Sequence, residues 1–203
     1  MLVFDHLAVS CGDLAEGVAA VEAALGVAMA GGGQHPHMGT HNRLLGLGGL
    51  YLEVIAVDPV AVAPDWPRWF DLDRFHGAPR LTNWVARCDD IGAEVAAGPM
   101  GVGVPVALAR GDYRWRMAVP GDGILPFDGC FPALIQWDGT SHPVQALSDA
   151  GVRLTRLTLR HPDADGLRAA FAGRLGDDRI AVETGPVALH AAFITPHGAR
   201  VLE

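Results

Sequence analysis

The chain has no lysine: all 15 of its basic residues are arginines, scattered among 23 acidic residues for a formal net charge of −8. A polyanion partner needs clustered cations, so nucleic acid is not an expected partner. Long apolar runs are also missing. The longest reach around ten residues before Gly, Pro or a charge interrupts, against the roughly 20 that a membrane span needs, so no membrane association is expected. The opening MLVFDH has no basic stretch before its apolar residues and no cleavage site after them, so no signal peptide is expected. Cysteine is scarce. Cys11, Cys88 and Cys130 are odd in number, far apart and without CxxC spacing, which argues against a disulfide framework and points to a reducing cytoplasm. Nucleophile and phosphate signatures such as G-x-S-x-G and G-x-x-x-x-G-K are absent.

Half of the 203 residues are apolar and 19% are charged, the balance of a folded globular chain. Its organisation shows in an internal repeat. DHLAVSCGDLAEGVAAVEAALG from Asp5, TNWVARCDDIGAEVAAG from Thr82 and TRLTLRHPDADGLRAAFAGRLG from Thr155 each read as strand, polar turn, aspartate, Ala-rich helix and glycine. In each, the turn aspartate (Asp13, Asp90, Asp163) stands at the same distance from the segment's first residue. These aspartates suit helix N-caps, and Gly26, Gly98 and Gly176 suit C-terminal caps.

After the first helix come the strand candidates NRLLGLGG and YLEVIAV; after the second, PVALA, YRWRMAV and PALIQWD; after the third, IAVET, VALHAAFI and ARVL. The unit is thus β-α-β-β-β, twice clearly and a third time in shortened form. The expected division is residues 1–58, first module; 59–80, a crossover; 81–145, second module; and 146–203, a C-terminal partial module. The aromatics Trp66, Trp69, Phe70 and Phe75 of the crossover need a surface to pack on.

D-H-L-A-V opening the first module and Y-L-E-V-I closing it resemble the vicinal oxygen chelate superfamily, which includes glyoxalase I, extradiol dioxygenases and bleomycin-binding proteins. More narrowly, GGQHPHMGTHN, YLEVIA, the W-R-x-A-V-P segment from Trp115 to Pro120 and P-A-L-I-Q-W are similar to the glyoxalase-like domain family. The resemblance implies an α+β fold, in which paired β-α-β-β-β modules form curved mixed sheets around a cleft, with helices on the outer faces and the shortened third unit at the C-terminus.

It also implies where ligands sit. Superfamily enzymes hold a divalent metal with one residue from the first and one from the last strand of each module. Carried over, these are His6 and Glu53 in the first module, and Asn83 and Gln136, both weak neutral donors, in the second. His35 or His41 would complete a 2-His-1-carboxylate site for Zn, Fe, Mn or Ni. The other reading has no metal at all, with Glu53 and His6 as catalytic groups and Glu53 as a base.

Alternation puts Tyr51 and Ile55 beside Glu53, and Phe4 and Ala8 beside His6, on the cleft side. On the YRWRMAV strand either Arg114 and Arg116 face the cleft, favouring an anion, or Trp115 does, supplying an apolar wall. Asn42 and Arg43 are further ligand candidates. The leading functional expectation is a lyase, isomerase or dioxygenase acting on a small oxygenated, anionic metabolite. The rival is a non-catalytic protein that sequesters a small molecule. One chain can form the cleft, so a homodimer is allowed but not required.

Overall fold

The computed structural model describes residues 1–203. The first module comprises β1 (Val3–Ser10), α1 (Leu14–Leu25), β2 (Ala30–His35), β3 (Thr40–Gly46) and β4 (Tyr51–Val57). The second comprises β5 (Arg80–Arg87), α2 (Ile91–Ala97), β6 (Val104–Arg110), β7 (Tyr113–Val119) and β8 (Ala133–Trp137). Antiparallel pairing of β1 with β5 joins them into one eight-stranded sheet in the order β2-β3-β4-β1-β5-β8-β7-β6. Within each module the first and last strands run parallel.

The C-terminal unit has β9 (Arg153–His161), α3 (Ala164–Phe171), β10 (Ile180–Thr184), β11 (Ala188–Thr195) and β12 (Gly198–Leu202). Its sheet is separate and wired differently, in the order β10-β9-β11-β12. No helix is long and apolar enough to cross a membrane.

The three aspartates do cap their helices: Asp13 accepts from Glu16 N, Asp90 from Ala93 N and Asp163 from Gly166 N. Such a cap contributes about 1 kcal/mol. Gly26 closes α1 in the left-handed conformation, whereas α3 stops at Phe171, short of the expected Gly176.

Two apolar clusters occupy the two faces of the large sheet. The back face carries 32 buried residues shared among Leu7, Leu52, Val54, Trp84, helix α1 and the C-terminal unit through Leu157, Leu167 and Phe171. The concave face carries a smaller set of 14, including Ala8, Ile55, Val85, Trp115, Met117 and Ile135. Trp69, Phe70 and Leu72 of the crossover pack into that concave cluster, so the crossover forms its floor. Phe70 and Asp71 both take positive φ, of 58° and 54°. Backbone strain of this kind costs about 1–3 kcal/mol per residue and persists only where packing holds it.

Two local irregularities shape the concave face. Asp5 is an extra residue in β1: Phe4 pairs with Ala86 and the next register pair is His6 with Val85. This bulge corrects the expected side for Phe4, which lies in the back-face cluster with Leu7 instead of in the cleft. The GGQHPHMGTHN motif falls in a hairpin of β2 and β3, with Pro36–Gly39 at its turn. Gly32 is required there, since a Cβ would lie 1.8 Å from the Asn42 carbonyl oxygen.

Candidate functional site

A small cavity of about 30 Å³ lies on the concave face, lined by His6, His35, Asn42, Tyr51, Glu53 and Arg110 and walled by Trp69, Phe70, Trp115, Met117, Ile135 and Trp137. A water needs roughly 10–15 Å³ of such space, so this room suits one or two small groups.

His6 is its centre. The residue is buried at 3% exposure and its ring stacks on Tyr51, its β4 neighbour, with centroids 4.3 Å apart. Its Nδ1–H donates to Asp5 Oδ1 at 2.6 Å, and its Nε2 lies 3.4 Å from Glu53 Oε1. Burial alone would neutralise the ring. Hydrogen bonds to Asp5 and Glu53, with their charges, outweigh burial and lift its pKa to about 9. His6 is therefore an imidazolium between two carboxylates.

Asp5 is completely buried and accepts at Oδ2 from Trp137 Nε1 at 3.1 Å and His142 Nε2 at 2.9 Å, with Arg87 Nη1 3.6 Å away. The Val144 amide donates to His142 Nδ1, which fixes the proton on Nε2. Burial works against the Asp5 carboxylate, yet the bonds from His142 and His6 hold its pKa well below the ordinary range.

Glu53 follows the same pattern. Burial disfavours its charge, but the hydrogen bond and charge of His6 and the bond from Asn42 keep its pKa low and the side chain ionised. Asn42 Nδ2 donates to Glu53 Oε2 at 2.8 Å, and Asn42 Oδ1 accepts from Arg110 Nη1 at 3.0 Å and from Gly33 N at 3.0 Å. A Cβ on Gly33 would lie 2.7 Å from Arg110 Cδ, so the glycine leaves room for the guanidinium stem.

His35 is neutral. Burial, reinforced by the Arg110 charge and opposed by Glu53, depresses its pKa to about 4. Its Nε2 faces Arg110 Nη1 at 3.4 Å, which leaves Nδ1–H to donate to Thr40 Oγ1 at 3.0 Å. Arg110 also lines a wider open groove with Gly33, Tyr113, His142 and Pro143, so it stands at the boundary between cavity and solvent.

Of the residues singled out in the sequence, the structure brings His6, Glu53, His35, Asn42 and Trp115 together. It places six elsewhere. His41 and Arg43 alternate with Asn42 on β3 and so fall on the outer face beside Leu14, Val18 and Glu22 of α1. Arg114 and Arg116 alternate with buried Trp115 and point outward; Arg114 donates to the Gly111 carbonyl and Arg116 pairs with Asp138 at 3.5 Å. Gln136 lies on the helix side, where its Oε1 accepts from the Ile91 amide at the start of α2. Asn83 pairs with Ala8, two residues along β5 from Val85, the partner of His6, and lines a different pocket with Arg74, Arg80 and Gly129.

Asp5, Arg110, Trp69, Phe70, Trp137 and His142 were missed as site residues. Arg110 was accessible from the pattern: if Trp115 faces inward, its partner Leu108 does too, and Arg110 two residues on shares that face.

The donor set does not fit the divalent metal that the resemblance implies. Nowhere do three His, Cys, Asp or Glu side chains converge as ligands would. His6 and Glu53 have no third partner, because His35 is committed to Thr40 and Arg110, and the second module contributes Val85, Met117 and Ile135. Arg110, already a cation, approaches the same groups.

Paired β-α-β-β-β modules joined into one sheet are the fold of the vicinal oxygen chelate class. The chain belongs to the family described as Glyoxalase-like domain, whose family model matches residues 4–175. A hypothetical protein from Staphylococcus aureus shares the fold at 15% identity and a TM-score of 0.63, over 92% of this chain and 88% of that one. A variant methylmalonyl-CoA epimerase of Streptomyces coelicolor, in complex with 2-nitronate-propionyl-CoA, is similar at 17% identity and a TM-score of 0.45, covering 70% of this chain and 100% of its own. The methylmalonyl-CoA epimerase of Mycobacterium tuberculosis gives 17% and 0.44, over 68% and 88%. No curated protein matches the chain.

Proposed function

We propose that the protein is a metal-independent lyase or isomerase that removes a proton next to a carbonyl group of a small oxygenated anion, with Glu53 as the base. The carrying observation is the state of Glu53: a buried, ionised carboxylate with Oε2 held by Asn42 and Oε1 turned into the cavity beside the His6 imidazolium. In the step, the α C–H proton passes to Glu53, and the bond's electron pair moves toward the carbonyl to leave an enolate oxygen. Arg110 supplies the positive charge next to that oxygen, and the surrounding apolar walls strengthen the interaction by excluding water. His6, held by Asp5, positions Glu53. The three free, buried cysteines support a reducing compartment such as the cytoplasm. Both walls come from one chain, so this reading needs no second copy.

The test is solvent-deuterium wash-in, followed by proton NMR, across small 2-oxo acids such as pyruvate and oxaloacetate. The expected result is faster exchange with the wild type and a loss of about 100-fold or more with Glu53→Gln. Equal exchange by both proteins would overturn the reading. The aromatic walls that Trp69, Phe70, Trp115 and Trp137 give the cavity favour sequestration as a second reading. It predicts tight retention of an acid that is recovered without any deuterium.

A further inference from the structure

Trp69 and Trp115 each bury an indole N–H that reaches no protein acceptor, and no other buried side-chain nitrogen or oxygen in the molecule is left in that position. The remaining indoles differ: Trp84 donates to the Cys130 carbonyl at 2.9 Å, Trp137 donates to Asp5, and Trp66 is exposed. A buried donor without an acceptor is disfavoured, and two in one place call for an explanation.

They come from separate parts of the chain, the crossover and β7, yet both rings line the His6–Glu53 cavity. Both also stand edge-on to His35, with centroids 5.2 and 6.2 Å away. The neighbouring acceptors are already engaged. His35 Nε2 faces Arg110, and the Glu53 oxygens face Asn42 and His6. The walls of the cavity therefore hold two indole N–H groups that no side chain there accepts from, beside the Arg110 guanidinium.

We infer that this cavity is built to hold a carboxylate, whose oxygens accept from the Trp69 and Trp115 indoles and from Arg110. Arg110 selects the charged group over a neutral carbonyl, because guanidinium and carboxylate match in charge and geometry. A planar carboxylate also lies against the flat aromatic walls better than a tetrahedral phosphate or sulfate does. The inference rests on the reading of this cavity as the ligand site, and narrows its substrates to small carboxylic acids.

The experiment follows the tryptophan indole resonances of the ¹⁵N-labelled full chain during titration with sodium formate, and in parallel with formamide, its neutral counterpart, at fixed ionic strength. Assignment uses Trp69→Phe and Trp115→Phe, with the buried Trp84 indole resonance as the internal reporter that each variant is folded. The expected result is that Trp69 and Trp115 move downfield and saturate together with formate, while Trp84 and Trp137 stay in place and formamide has little effect. Each Phe variant, and Arg110→Gln, weakens formate binding by about tenfold or more.

Indoles that stay fixed up to molar formate would overturn the inference, leaving the cavity as a place for water. Indoles that follow formamide as strongly as formate would overturn the assignment to a carboxylate. Neither result depends on turnover. Wash-in that requires Glu53 together with fixed indoles would sink this inference alone, and moving indoles with no wash-in would sink only the proposed chemistry.

Discussion

The two halves of the concave face share a strand plan and differ in what they present. From β1, β3 and β4 the first module presents His6, Asn42 and Glu53; from β5, β7 and β8 the second presents Val85, Met117, Trp115 and Ile135. Equivalent positions on a duplicated scaffold thus carry charge on one side and packing on the other. The lesson is that the repeat specifies where side chains point, while the residues at those points decide whether a wall reacts or merely shapes the space. A four-ligand metal site needs ligands from both halves; here the second half supplies apolar side chains and, from the end of β6, the Arg110 cation.

Breaking the polar half at its anchor has the largest expected effect. Asp5→Ala removes the acceptor of three donors and uncovers the His6 charge, which should cost about 3–5 kcal/mol in urea denaturation. A loss below about 1 kcal/mol would mean that this network is worth no more than a surface pair. Truncating the apolar half should cost somewhat less and act differently. Ile135→Ala is expected to lose about 2–5 kcal/mol through the void it leaves. The His6 titration should stay near 9, as followed by imidazole NMR. A large fall in that value would show that the apolar wall also tunes the charge.

The pH dependence sharpens the contrast further. The folded pKa of His6 is raised, so its contribution is fully present below the unfolded value near 6.5 and is lost as pH rises through about 9. Thermal melts should therefore fall by on the order of 5 °C between neutral pH and pH above 9, and Glu53→Gln should move that decline to lower pH. The folded pKa of His35 is depressed to about 4, so its contribution has the opposite sign: present above about 6.5 and lost as pH falls toward 4. The smallest effect is expected from Arg114→Gln and Arg116→Gln, which should change stability by about 0.5 kcal/mol or less and leave formate binding unaltered. A marked loss of binding in either would return these side chains to the cleft.

Much of the architecture was legible because it rests on local chemistry. Asp13, Asp90 and Asp163 mark helix starts through a capping interaction that a sequence displays directly, and Tyr51, Glu53 and Ile55 follow strand alternation without interruption. The pairing of His6 with Glu53 was legible for the same reason.

What was not legible depends on irregularity or on distance along the chain. The extra residue at Asp5 breaks the alternation that put Phe4 in the cleft, and antiparallel pairing sets Val85 opposite His6 and Asn83 opposite Ala8. The proximity of His142 and Trp137 to Asp5 spans more than 130 positions and follows from the closing of the sheet, which no local pattern encodes. Gln136 shows a different limit. Aligning it with Glu53 was reasonable by strand position, but a one-residue offset sends an amide to the opposite face, where it serves a helix end instead.

The bulge at Asp5 has one more consequence. It works as a phase change in a two-beat rhythm: upstream, Phe4 keeps time with the back face, and downstream, Leu7 resumes it, with two consecutive residues, one acidic and one basic, held between them. Both flanking stretches are locked to the same hydrophobic layer, so the strand cannot lose or gain a single residue here without turning one stretch inside out. The acidic–basic couple is thereby fixed in place by the large residues on either side, and a change in strand length would reach it before any change in the residues that touch a ligand.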